Sequence, residues 1–115
     1  MTADTMTESS RAISRMTAQT ILEQLGGGQF AAMTGARNFV ALESGLQFSI
    51  GHGAKDGINK VRVILEPNDV YTVAFYSVHG ARFDCVSIHT DIYCDVLQDL
   101  FESATGFYTT LHARG

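Results

Sequence analysis

Residues 90–111, TDIYCDVLQDLFESATGFYTTL, constrain the fold more than any other stretch of the chain. Tyr93, Val96, Leu97, Leu100, Phe101 and Ala104 recur at three- and four-residue intervals, so on a helix they form one apolar stripe that needs a partner surface. Asp91, Asp95, Asp99 and Glu102 then fall on the opposite side as an acidic face. Thr90 or Asp91 can cap the first unbonded amides, Gly106 can take the left-handed conformation that ends a helix, and Phe107 then folds back. The remainder of the chain must supply the layer that covers the stripe.

Upstream, residues 1–16 are rich in Thr, Ser and Ala and lack apolar periodicity, which predicts a disordered tail. Thr17 is placed to cap a helix over 18–25, where Ala18, Ile21, Leu22 and Leu25 share one face. Gly26, Gly27 and Gly28 end it. Three consecutive glycines also suggest a phosphate cradle, but such a loop precedes a helix, and this run follows one and leads into what reads as a strand.

Between residues 29 and 90 the pattern changes to short β-like runs separated by turns. Residues 29–33, 38–43, 46–50, 60–66, 70–79 and 82–89 read as about six strands, mostly antiparallel because the connections are short. Pro67-Asn68-Asp69 and Gly80-Ala81 are turns. Along the fifth run Tyr71, Val73 and Phe75 alternate with Thr72, Ala74, Tyr76 and Val78, and along the last Phe83 and Cys85 alternate with Val86 and Ile88. The expectation is a single α+β domain over 17–111 with a flexible end at 112–115, both helices packing on one sheet face. The other face would be open, with Tyr76, Val78, Ile64 and Phe48 on or near it, and an open apolar face invites a second protomer, a partner or a ligand.

Chemical motifs are sparse. His79, Cys85, His89 and Cys94 carry the donor atoms of a zinc site, but the paired short spacings of such a site are missing, and the residues predict no metal and no cofactor. The same spread argues against a cysteine nucleophile, and Cys94, close to helix-buried positions, would be made inert by burial. Asp91, Asp95 and Asp99 stand one helical turn apart and could hold a hard cation, although a solvated face has the same pattern. The glycine-rich segment GHGAKDG at 51–57 could receive a phosphate, but no helix follows it, and it reads as a connector.

Charge is distributed unevenly. Arg37, Lys55, Lys60, Arg62 and Arg82 all belong to the sheet half, whereas residues 83–113 contain acids and no Lys or Arg, so the molecule should carry a field of two signs. The net charge of −4 weighs against nonspecific nucleic-acid binding, which a local basic patch can override. Two cysteines are too few for a secreted disulfide scaffold, and no basic start with an apolar run or membrane-length apolar segment is present, so a cytoplasmic protein without a membrane partner is expected.

Residues 24–30 (QLGGGQF), 33–39 (MTGARNF), 57–61 (GINKV) and the run from 93 to 111 with its TGFYT exit are similar to a mostly uncharacterised family of small proteins encoded by phages and prophages. The likeness spans about residues 18–111 and departs at Gly28 and Gln29, where relatives carry Asn and a basic residue. It associates the chain with anti-CRISPR and other counter-defence proteins, which implies a stoichiometric binder acting on a host protein complex in a bacterial cell. Two function classes follow. In the first, the acidic helix bearing Asp91, Asp95, Asp99 and Glu102 occupies a nucleic-acid-binding surface of that partner. In the second, the chain is a single-stranded nucleic-acid-binding accessory protein using Arg37, Lys55, Lys60, Arg62 and Tyr76. A homodimer through the open face is compatible with either. An enzyme ranks behind both, and no catalytic residue is assigned.

Overall fold

Short connections at 43–44, 66–70 and 80–81 and a longer loop at 50–59 join the strands, which pair in sequence order. The computed structural model describes residues 8–109. It contains α1 (Glu8–Leu25), α2 (Gly27–Thr34), β1 (Arg37–Leu42), β2 (Gly45–Ser49), β3 (Lys60–Leu65), β4 (Tyr71–His79), β5 (Arg82–Ile92) and α3 (Leu97–Thr105), with 3-10 turns at Lys55–Gly57 and Cys94–Val96. All five strands form one antiparallel sheet in the order β1-β2-β3-β4-β5. The α+β class and the antiparallel sheet are as the sequence implies; five strands stand where about six were expected.

The missing strand is α2. Residues 29–33 form a helix because Phe30 and Thr34, one turn apart, are its buried positions, and Ala31, Ala32 and Met33 are good helix formers. Thr34 Oγ1 donates to the Phe30 carbonyl at 2.8 Å, closing that turn. The glycines therefore separate two helices rather than a helix and a strand. Gly26 holds φ at 126°, and a Cβ there would press on Phe30 Cβ and the Thr109 carbonyl, so the sharp break depends on glycine.

The expected tail is also corrected over residues 8–16, which belong to α1; residues 1–7 and the expected flexible end at 112–115 lie outside the described residues. Thr17 is accordingly inside the helix and not its cap. The packing face of this first half uses small groups. Ser14 is buried and donates from Oγ to the Glu43 carbonyl at 3.0 Å, with Ala18 buried one turn on, while Ile13 and Met16 are 61% and 67% exposed. Hydrophobic periodicity cannot reveal a helix whose buried positions are Ser and Ala.

At the other end, β5 runs through Ile92, which pairs with Tyr71, so residues 90–92 are strand and not the first turn of the last helix. Asp91 has φ of 57°, Tyr93 is extended, and α3 begins only at Leu97. Thr90 and Asp91 cap nothing, and Tyr93 and Val96 are exposed instead of completing the apolar stripe. Gly106 does end α3 in the left-handed conformation, and Phe107 packs back against the core.

The core joins one set of alternating strand residues to the helices: Leu46 and Phe48 of β2, Val61 and Val63 of β3, and Tyr71, Val73 and Phe75 of β4 cluster with Ile21, Leu25, Phe30, Leu97 and Phe101. Phe30 is its hub, meeting Phe48 and Phe101 edge to face at 5.4 and 5.2 Å. Phe48 thus lies in the core, not on the open face.

Candidate functional site

The remaining alternating positions make the second sheet face, and strand register fixes which residues share it. Directly paired residues on neighbouring strands point the same way. One row runs Arg37, Ser49, Lys60, Tyr76, Cys85 across all five strands, and the next runs Val40, Gln47, Arg62, Ala74, Ile88. Val78 pairs with Phe83 beside the hairpin turn. None of these residues except Ala74 is fully buried, and Phe83 and Ile88 are 50% and 57% exposed.

A bulge in β5 is needed for this arrangement. Phe75 pairs with Ser87 and Tyr76 with Cys85, which leaves Val86 without a partner and flips the alternation there. Ile88 consequently joins Phe83 and Cys85, contrary to strict alternation, while His89 turns to the core face and meets the Phe75 ring at 5.8 Å. Cys85 and His89 are on opposite faces. Cys94, expected near buried positions, is exposed, as is Cys85. Among the described residues no group of three or more His, Cys, Asp or Glu side chains could hold a metal ion.

The centre of the face is an ordered stack. Arg62 donates from Nε and Nη2 to Gln47 Oε1 at 2.9 and 2.7 Å, and its guanidinium carbon lies 5.4 Å from the centre of the Tyr76 ring. Tyr76 in turn lies against Phe83, ring centres 4.7 Å apart and planes 36° apart. A guanidinium clamped by an amide and resting on an aromatic face is held in place while its remaining N–H groups stay available to an acceptor.

Of the basic set, Arg37, Lys60 and Arg62 are brought together with Tyr76, whereas Lys55 is not. Its Nζ donates to the Ser103 carbonyl at 3.1 Å, and its methylenes cover Gly106, so it serves the C-terminal end of α3. Arg82 forms an ion pair with Asp84 at 3.4 Å at the hairpin tip.

The acidic set is dispersed over three elements. Asp91 is the next-to-last residue of β5, Asp95 lies in the 3-10 turn, and only Asp99 and Glu102 are on α3. Glu102 faces inward in part, its Oε2 accepting from Thr109 N and Thr109 Oγ1, each at 2.8 Å. A single acidic helix face does not form. Gln47 and Phe83 are the members of the stack that periodicity left out; the two-residue turn at Gly80-Ala81 already aligns Phe83 with Val78 and places it diagonal to Tyr76.

No family model, curated protein or solved structure matches this chain. Among the described residues no helix is long and apolar enough to cross a membrane.

Proposed function

We propose that this protein is a small binding protein whose working surface is the sheet face turned away from the core, with all three helices on the other side, and that its ligand is single-stranded nucleic acid. The stack of Gln47, Arg62, Tyr76 and Phe83 beside Lys60 and Arg37 carries the reading. The exposed Phe83 ring, backed by Tyr76, offers stacking to bases of any sequence, and adjacent cations track the phosphates. No Asp or Glu occurs in the two residue rows that contain the cations; the carboxylate of Glu66, just past the end of β3, lies beyond them and accepts from Thr72 Oγ1 at 2.7 Å. An acidic surface that competes with nucleic acid for a host protein is the weaker reading, because its four carboxylates do not share one face.

Fluorescence anisotropy with a labelled oligothymidylate tests the proposal. Binding is expected to weaken with salt at a logarithmic slope of about −2, as three neutralised phosphates on a single strand require. Phe83→Ala should weaken it by about 1–3 kcal/mol, the usual contribution of one stacked base. Absence of binding at low salt overturns the reading.

A further inference from the structure

Arg37 stands at a corner of the molecule. Its row leads across the open face, but Arg37 also lines a cleft of about 490 Å³ at the adjoining end of the sheet, together with His52, Gly53, Asn59 and His79. Two features of this cleft point to an anion. Arg37, His52 and His79 line it and no Asp or Glu does. The glycine-rich loop is bonded at its ends, Gly51 N to the Thr34 carbonyl at 2.8 Å and Asn59 N to the Tyr76 carbonyl at 2.9 Å, whereas the amides of His52 and Gly53 donate to no acceptor among the described residues. Adjacent loop amides without protein acceptors, beside a guanidinium and two imidazoles, are the elements of a phosphate-binding concavity.

The walls are braced. Asn59 exchanges two side-chain hydrogen bonds with the Val78 backbone, at 2.8 and 2.9 Å, which pins the loop to β4. His79 Nε2 lies 2.8 Å from Ser77 Oγ, so the imidazole is anchored on the side of the sheet. The volume is within the range of small-molecule clefts and exceeds what a bare phosphate fills, leaving room for an attached sugar and base.

We propose that this cleft binds a phosphate group. Resting on the strand-binding reading above, we further assign it to the terminal phosphate of the strand, with Arg37 shared between the terminal nucleotide and the chain that continues over Lys60 and Arg62. The same phosphate chemistry could come from a free nucleotide, and the two sources are separable by experiment.

The full-length protein is titrated against oligothymidylates ending in 5′-phosphate, 3′-phosphate or hydroxyl groups only. A phosphate at one end should tighten binding about ten-fold, the effect of charge-assisted hydrogen bonds to one group. His52→Ala with His79→Ala should erase that preference and leave hydroxyl-ended strands bound as before, circular dichroism confirming the fold. In parallel, inorganic phosphate and thymidine monophosphate are titrated by NMR. Saturable shifts of the His52 and Gly53 amides without any end preference support the cleft and make a free phosphate compound its ligand. Loss of strand binding with those shifts intact overturns the sheet-face reading and the strand-end assignment while supporting the cleft. Equal affinity for all strand ends together with no saturable shift overturns the cleft proposal.

Discussion

Gln98 of α3 donates from Nε2 to the carbonyl oxygen of Leu25, the last residue of α1, at 3.0 Å. The final carbonyls of a helix lack intrahelical partners, and here a side chain from the far end of the sequence supplies one just before the chain breaks at Gly26. Nε2 also donates to Thr109 Oγ1 at 3.1 Å, and Thr109 passes its own donors to Glu102 Oε2, so α1, α3 and the C-terminal segment are joined through one buried threonine.

Gln98→Leu should therefore destabilise the fold by about 1–3 kcal/mol, because buried polar groups lose their partners. Thr109→Val should cost a similar amount, and the double variant less than the sum, since both act on one network. Chemical denaturation measures all three, and strict additivity would separate the two residues.

Gly45 and Gly28 should respond to alanine with opposite signs. A Cβ on buried Gly45 would collide with the Val63 carbonyl oxygen on the neighbouring strand, so Gly45→Ala is expected to cost about 1–3 kcal/mol through displacement of β2 from β3. Gly28 lies in α2, and an added Cβ meets nothing within 4 Å. Gly28→Ala should raise stability by about 0.5–1 kcal/mol by restricting the unfolded chain. A thermal melt decides both.

The sheet from β1 to β4 was legible because its signals are local: alternation, turn residues and short connections each pointed to the same meander. Misreadings arose where tertiary packing overrode the local pattern. Ser14 and Ala18 bury a helix face without a hydrophobic signature, Phe30 carries α2 into the core almost alone, and pairing of Ile92 with Tyr71 extends β5 through residues whose spacing fits a helix. The site was half visible. Arg37, Lys60, Arg62 and Tyr76 could be named from charge and aromaticity, but the removal of Lys55 to the end of α3 and the addition of Gln47 and Phe83 follow from register and long-range contact.

Alkaline pH should expose the role of Tyr71. Burial pushes its phenol above the ordinary value of 10.0, nearby Cys94 adds to the shift, and the hydrogen bond to Gln24 opposes it. The folded chain thus holds this proton more tightly than the unfolded chain does. The resulting stability is complete below about pH 10 and is lost as pH rises through the folded-state value. Tyr71→Phe should flatten that alkaline loss while costing about 1 kcal/mol at neutral pH for the missing hydrogen bond. Denaturation midpoints followed from neutral into strongly alkaline buffer provide the check, and an unchanged alkaline slope in the variant would assign the loss to other groups.

Charge reversal distinguishes the two candidate surfaces. Lys60→Glu with Arg62→Glu places two carboxylates beside Tyr76 and should weaken single-stranded oligonucleotide binding by well over about ten-fold, with a flatter salt dependence, since fewer phosphates are neutralised. Asp95→Lys with Asp99→Lys changes the net charge by the same magnitude in the other direction, on elements outside the rows that carry Arg37, Lys60 and Arg62. If the open face works, that variant should bind the oligonucleotide within roughly a factor of two of wild type at physiological salt, where exposed charges beyond about 8 Å are largely screened. Asp95 and Asp99 are exposed, and reversal there should shift stability by only about 0.5 kcal/mol; Arg62 is half-buried and bonded to Gln47, so Lys60→Glu with Arg62→Glu is compared under conditions where circular dichroism shows it folded. The mirrored result, oligonucleotide affinity absent throughout and binding of a basic partner protein lost only with Asp95 and Asp99 reversed, would move the working surface to the acidic end and make the protein a competitor of nucleic acid instead of its ligand.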